Sequence, residues 1–470
     1  MEKSRDLVII GGGAAGLVVA SVAAQLGLDV VLINKQADMG GDCLHYGCVP
    51  SKTLLKSASI AHIQRHAEQW GINSVSPNVD IQAVNKTIKR AIDTIQVHDS
   101  RQRFEELGCE VVTGTASFVS KNRVRVAEKT FDAKKIVIAS GSQAWIPSIK
   151  GLDKIDYLTN EDMFSLPKLP KSLIVLGGGP VGVEMAQAYA RLGCSVSLIE
   201  LAPRLLPRMD SQSSSILAEV FRGEGIELIL DNEVIEVSED AEGKHLLLKD
   251  GRSISAESIL VALGRRPVID GMQLDKAGVD FDTSGIKVNA KMQTSNRRIY
   301  ACGDVTGAMP LTHVAELQAG VVIANLIFKL PKKVSYDVIP VVVYTEPEVA
   351  QVGVSVEECK KLPKGEVHQF EISKLDRAIT DNHTSGMATI LTDKGKVIGA
   401  HIIAPHAGEL IHEMALAIQE KMKVSQLTSL VHAYPSYSQL NKRLAGQYYS
   451  ERLFSPFTKK LVALLNRFFS

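Results

Sequence analysis

One pattern occurs twice in this chain and leaves few folds open to it. Residues 6–33 read DLVIIGGGAAGLVVASVAAQLGLDVVLI, and residues 172–199 read SLIVLGGGPVGVEMAQAYARLGCSVSLI. Each run is an apolar strand, a glycine-rich turn, an alanine-rich helix and a second apolar strand. That is the βαβ unit of a dinucleotide-binding fold. One such string is a weak signal; two copies in the same context are a strong one. In the first turn Gly11 permits the bend, Gly13 lets backbone approach a pyrophosphate, and Gly16 lets helix meet strand closely. The helix N-terminus then offers free N–H groups to phosphate oxygens. Gly177, Gly179 and Gly182 repeat the arrangement. An acidic residue usually ends the second strand and accepts from the ribose hydroxyls. Glu200 holds that place in the second copy, which favours NADH over NADPH because a carboxylate repels a 2′-phosphate. Arg204, close by, keeps NADPH open. In the first copy the place is taken by Asn34, an uncharged acceptor.

Length and composition set the frame. At 470 residues the chain is too long for a single core. A net charge of +1 gives no reason to expect nucleic acid. The opening MEKSRD leads straight into an apolar strand, with no signal peptide, and no apolar run reaches the ~20 residues a membrane span needs. Six cysteines in such a chain do not make a disulfide scaffold, so the expected setting is the cytosol. The predicted fold class is α/β. Two Rossmann-like domains occupy 1–146 and 147–267, a central domain 268–335, an α+β domain 336–447, and a helical tail 448–470.

The run GGDCLHYGCVPSK at 40–52 holds the chemistry. Residues five apart on an ideal helix point about 140° away from each other, so Cys43 needs an irregular turn to meet Cys48. Gly40 and Gly41 allow that bend. A helix N-terminus and Lys52 would stabilise a thiolate at Cys48. No second Cys-x-x-Cys or His cluster accompanies the pair, so no metal site is expected. Cys109, Cys194, Cys302 and Cys359 read as packed free thiols.

Together with IASG (138–141), ALGRRP (262–267) and ACGDVTG (301–307), these motifs resemble the flavin-dependent pyridine nucleotide–disulfide oxidoreductases. That family includes glutathione reductases, dihydrolipoamide dehydrogenases and mercuric reductases. The resemblance covers about residues 5–447. It implies FAD on the first βαβ unit, NADH or NADPH on the second, and a homodimer built by the C-terminal domain. Cys48 would be the thiolate against the flavin, and Cys43 the exposed thiol that meets the acceptor. Lys52 and Glu184 would pair near the flavin N5. Gly303 and Asp304 would meet its ribityl and pyrophosphate region. Around the same cofactor the resemblance places Lys35, Gly41, Asp42, Ala116, Ser140 and Gly141, with Leu311 and Thr312. For the nicotinamide nucleotide it adds Pro180, Val181 and Gly264.

The chain departs from the family at one place. Disulfide-reducing members carry His-Pro-Thr followed three residues later by Glu, the His shuttling a proton between thiols. Here the run is HAYPSYSQ (432–439), with Tyr434 in place of the His and Gln439 in place of the Glu. A phenol with a pKa of about 10 is a poor proton acceptor at neutral pH. His432, two residues earlier, could serve only if the loop were rebuilt. Tyr-Pro resembles mercuric reductases, yet their terminal cysteine pair is missing, the last cysteine being Cys359. The expected acceptor is a disulfide, a small thiol or a thiol-bound metal. Two alternatives are a membrane-associated quinone-type reductase and a nucleotide-binding protein without turnover. The tail supports membrane contact through 451–470, on the inner face. Phe454, Phe457, Leu461, Leu464, Leu465 and Phe468 recur at helical spacing, beside Lys459, Lys460 and Arg467.

Overall fold

The computed structural model describes residues 4–468, so residues 1–3 and 469–470 of the expected first domain and tail lie outside the described residues. The described residues form two compact units. One holds 4–177, 188–196 and 234–335; the other holds 178–187, 197–233 and 336–468.

The first unit is built on a sheet whose central strands are near-continuous apolar runs. Such runs form strands buried on both faces. Strands β1 (Arg5–Ile10), β2 (Val30–Asn34), β3 (Cys109–Thr113), β4 (Lys129–Ile138) and β5 (Ile299–Ala301) lie in the spatial order β3–β2–β1–β4–β5, all parallel. The crossover between β1 and β2 is helix α1 (Ala14–Gln25). Its small residues Ala20 and Ala23 pack in one core with Val321 and Val322 of a later helix, Thr312–Leu326. Around the cysteines the chain forms α2 (Gly41–His45) and α3 (Cys48–Arg65), and after a break at 71–80 a further helix spans Ile81–Gln96. Ser172–Leu176, the first strand of the second repeat, pairs in parallel with Ser258–Val261.

In the second unit, Ser197–Ile199 pairs in parallel with Glu227–Ile229. The C-terminal part is an antiparallel sheet in the order 341–343, 348–353, 396–404, 387–393, 365–371. The helices Ala407–Gln419 and Gln439–Leu453 share its core. The latter helix runs past Tyr448, which is buried, and the helix after it, Pro456–Phe468, has no buried residue.

Candidate active site

The first glycine turn is fixed by sterics. Gly11 has φ +115°, and a Cβ there would lie 2.2 Å from the Ala139 carbonyl oxygen. A Cβ on Gly16 would lie 1.9 Å from the Gly11 carbonyl oxygen, so α1 reaches the strand only through a bare glycine. Gly13 is the N-cap of α1. Asn34 does something the sequence did not disclose. Its Oδ1 accepts from the Gly12 N–H at 3.0 Å, and its Nδ2 donates to the carbonyls of Gln36 and Asp38, 2.9 Å each. The oxygen assigned to a ribose hydroxyl is thus already engaged in bracing the turn. Glu200 braces the second turn alike, with Oε2 accepting from Gly178 N–H at 2.6 Å and Oε1 from Ala202 N–H at 2.7 Å.

The cysteine loop rides directly on the first turn. Gly40 N–H donates to the Gly12 carbonyl at 2.7 Å, and a Cβ on Gly41 would lie 2.8 Å from the Gly13 Cα. Gly40 (φ +109°) and Gly41 (φ +66°) supply the expected bend. Gly47, which sequence reading passed over, breaks α2 from α3. A Cβ there would meet the Asp42 carbonyl oxygen at 3.0 Å and the Cys43 Cα at 3.1 Å. Cys48 is the first residue of α3, where the helix dipole favours an anion. Its Sγ lies 3.5 Å from Thr312 Oγ1. The hydrogen bond with Cys48 and burial push the Cys43 thiol up. Cys48 is exposed and Cys43 half-buried. The other four cysteines are buried, as expected. Burial pushes Cys109 up to about 11, and Cys194 and Cys302 up to about 12.

A polar chain joins this loop to the Gly303–Asp304 turn. Ser142 Oγ donates to Asp304 at 2.6 Å. Arg265 donates to Ser142 Oγ (2.8 Å) and to the Ser142 carbonyl (2.9 Å), and pairs with Asp42 at 3.0 Å. Burial pushes the Asp304 carboxyl up, with Ser142 and Arg265 opposing. Gly303 N–H donates to Gln318 Oε1 at 2.7 Å. Ser142, Arg265 and Gln318 were missed. Only the first two had a signal, since they sit in or beside IASG and ALGRRP.

The remaining expected residues fall as follows. Ser140 Oγ donates to the Val268 carbonyl at 2.7 Å, and Gly141 has φ +72°. Ala116 is buried, Lys35 is exposed, and Leu311 caps the helix that begins at Thr312. Gly264 accepts from the Trp145 N–H at 2.9 Å. Pro180 opens the helix Pro180–Leu192, and Val181 on it is exposed. Glu184 is buried, and its carboxylate accepts from the Tyr344 N–H at 2.9 Å.

On the 432–439 loop, Tyr434 stands out 68% exposed. His432 does not: its side chain is 6% exposed, and Nε2 lies 3.2 Å from both carboxylate oxygens of Glu413. Glu413 also accepts from Asn441 Nδ2 at 2.8 Å. His432 is therefore a brace within its unit and cannot reach a thiol without breaking that pair.

A cradle of bare backbone (Gly12, Gly13, Gly41), a helix N-terminus and a buried carboxyl with acceptor capacity fit a flavin dinucleotide. Among the described residues no group of three or more His, Cys, Asp and Glu could hold a metal ion.

Comparison with known proteins agrees with this chemistry. Residues 5–319 match the family model described as pyridine nucleotide-disulphide oxidoreductase, and residues 339–444 match its dimerisation domain. A mercuric reductase of Lysinibacillus sphaericus is 33% identical over 442 residues, 92% of this chain and 80% of the relative. A dihydrolipoyl dehydrogenase of Bacillus subtilis is 33% identical over 445 residues, 92% and 96% of the two. Among solved structures, the Cu(II) complex of the HOCl-induced flavoprotein disulfide reductase RclA from Escherichia coli superposes with TM-score 0.86 at 25% identity. It covers 94% of this chain and 99% of that one.

Proposed function

The chain belongs to the pyridine nucleotide-disulphide oxidoreductases, as an FAD- and NAD(P)H-dependent enzyme acting on sulfur, and on that premise we propose that its acceptor is a soft metal ion held by thiolates at Cys43 and Cys48. The dimerisation-domain match supports a homodimer.

When bound, FAD would supply two-electron chemistry between a nicotinamide and a sulfur. The chain's own residues would do the rest. Gly11, Gly13 and Gly16, with Gly303 and Asp304, would hold the flavin dinucleotide. Gly179, Pro180, Val181 and Gly182, with Glu200, would hold the nicotinamide nucleotide, NADH in preference. Lys52, four residues after Cys48 on α3, would serve the flavin ring. The reduced pair is a dithiol in which Cys48 carries the charge at the start of α3 and Cys43 keeps the proton. Binding of the metal displaces the Cys43 proton to solvent, so that two thiolates hold the ion. Forming the Cys43–Cys48 disulfide releases two electrons, enough for one Hg(II) to become Hg(0) or for two Cu(II) ions to become Cu(I).

One observation favours a metal over a disulfide. Cleaving a disulfide requires a proton for the departing sulfur, and the loop that should supply it offers Tyr434, while His432 is locked to Glu413. A metal bound by soft thiolates leaves without that proton. Mercuric reductases among the relatives and a Cu(II) complex among the structural neighbours point the same way. The test is turnover under NADH with Hg(II) or Cu(II) in excess thiol, glutathione disulfide, a short-chain quinone, and dihydrolipoamide with NAD⁺. Metal turnover should exceed disulfide turnover by about 100-fold, the usual range for one general acid–base group. Rapid glutathione disulfide or dihydrolipoamide turnover would refute the reading. Quinone turnover that survives Cys43→Ala would favour direct transfer from flavin.

No described helix is long and apolar enough to cross a membrane. We propose instead that the tail rests on the inner face of one. Phe457, Leu461, Leu464, Leu465 and Phe468 are all 43–75% exposed on Pro456–Phe468, which carries Lys459, Lys460 and Arg467 and no carboxylate. Each cation near an anionic surface contributes about 1 kcal/mol. The protein should sediment with phosphatidylglycerol vesicles and not with phosphatidylcholine vesicles, and Lys459→Glu with Lys460→Glu should release it. Equal partition between the two lipids would refute this placement.

A further inference from the structure

Asn160 lies outside every motif, in the stretch between Pro147 and Pro170. Its Nδ2 donates to Asp42 Oδ1 at 3.1 Å and to the Tyr46 carbonyl at 3.1 Å. An amide nitrogen has two hydrogens, so both are used. The acceptors bracket the segment that carries Cys43: Asp42 precedes it directly, and Tyr46 stands two residues before Cys48. The backbone closes the same span, with Tyr46 N–H donating to the Asp42 carbonyl at 2.8 Å. Arg265 reaches the same oxygen, Asp42 Oδ1, at 3.0 Å.

We infer that Asn160 is a positioning residue for the redox pair, holding the 42–48 loop closed so that the two sulfurs stay within bonding reach in the dithiol as well as in the disulfide. The inference rests on the reading of Cys43 and Cys48 as the pair that exchanges electrons. Its physical basis is effective concentration. A dithiol already held in the closed geometry loses little freedom when the S–S bond forms, whereas a freed loop gains conformations only in the dithiol. Removing the two donors therefore favours the dithiol and makes the disulfide easier to reduce.

The test uses the FAD-loaded enzyme equilibrated in glutathione redox buffers, with the oxidised fraction of Cys43–Cys48 read by alkylation and mass spectrometry. Asn160→Ala should shift the equilibrium toward the dithiol about three- to tenfold, tenfold being ~30 mV for a two-electron couple. Asn160→Asp, which puts oxygen against both acceptors, should shift it further. Asn160→Ser, which keeps one donor, should fall between and serves if the alanine variant does not fold. A purely structural role would lower the melting temperature and leave this equilibrium where it was. Variants that titrate with the wild type overturn the inference while the pair's role stands. A wild-type enzyme with no exchangeable disulfide overturns both.

Discussion

Cys48→Ser should abolish the long-wavelength absorption that appears when NADH reduces the enzyme, and should lower thiol-dependent turnover by at least about 10³, some 4 kcal/mol of barrier. The reasoning starts from position. Cys48 opens α3, so its sulfur meets the positive end of a helix dipole, while the hydrogen bond with Cys48 and burial raise the Cys43 thiol. Both effects favour the charge on Cys48. Cys43→Ala separates the roles: Cys48 can no longer be tied up in a disulfide, so the absorption should appear without reductant, while acceptor turnover is lost. The hydrogen bond with Cys48 and burial raise the Cys43 pKa, so in the metal-free enzyme a rise from neutral to alkaline pH should not take its proton first. The absorption should therefore persist across that range. Optical titration with NADH in the absence of oxygen measures all of this. An unchanged band in Cys48→Ser would refute the assignment.

Gly16→Ala should yield a protein that has lost its flavin. The added methyl would stand 1.9 Å from the Gly11 carbonyl oxygen, a backbone atom that cannot swing aside. Gly11 is itself fixed, its N–H donating to the Ile33 carbonyl at 2.8 Å and its α-carbon close against Ala139. Relief can come only by moving α1 off the strand, and that displaces the turn on which the dinucleotide rests. Overpacking of this kind costs about 1–3 kcal/mol. We expect more than tenfold weaker flavin retention, about 1.4 kcal/mol, and a lower melting temperature. Gly320→Ala is the control: a Cβ there meets nothing within 4 Å inside a regular helix, so stability should hold or rise slightly. Flavin absorbance per protein after gel filtration, with thermal unfolding of each variant, decides it. A yellow Gly16→Ala protein would refute the steric argument.

Much of the site was legible in the sequence because its constraints are local. Gly11, Gly40 and Gly41 are required by their own positive φ, and Gly16 by close approach to Gly11 five residues away, and such requirements leave a fixed spelling. The helix start at Cys48 was readable for the same reason. Contacts between distant segments leave no spelling. Nothing in the sequence said that Asn34 braces its own turn, that Glu413 would occupy His432, or that Arg265, Ser142 and Asp304 form one chain. Gly47 lay inside the motif and was still passed over, since its need appears only when the Cys43 backbone is seen folded against it.

The sequence by itself determined two dinucleotide units, a cysteine pair on a glycine-bent loop and the absence of the usual base from the 432–439 loop. Each follows from residue type at short range. Only the tertiary structure decided that His432 is tied to Glu413 and that Asn160 spans the cysteine loop from more than a hundred residues away. Those are facts of packing, set by where parallel strands and their crossovers bring remote side chains together.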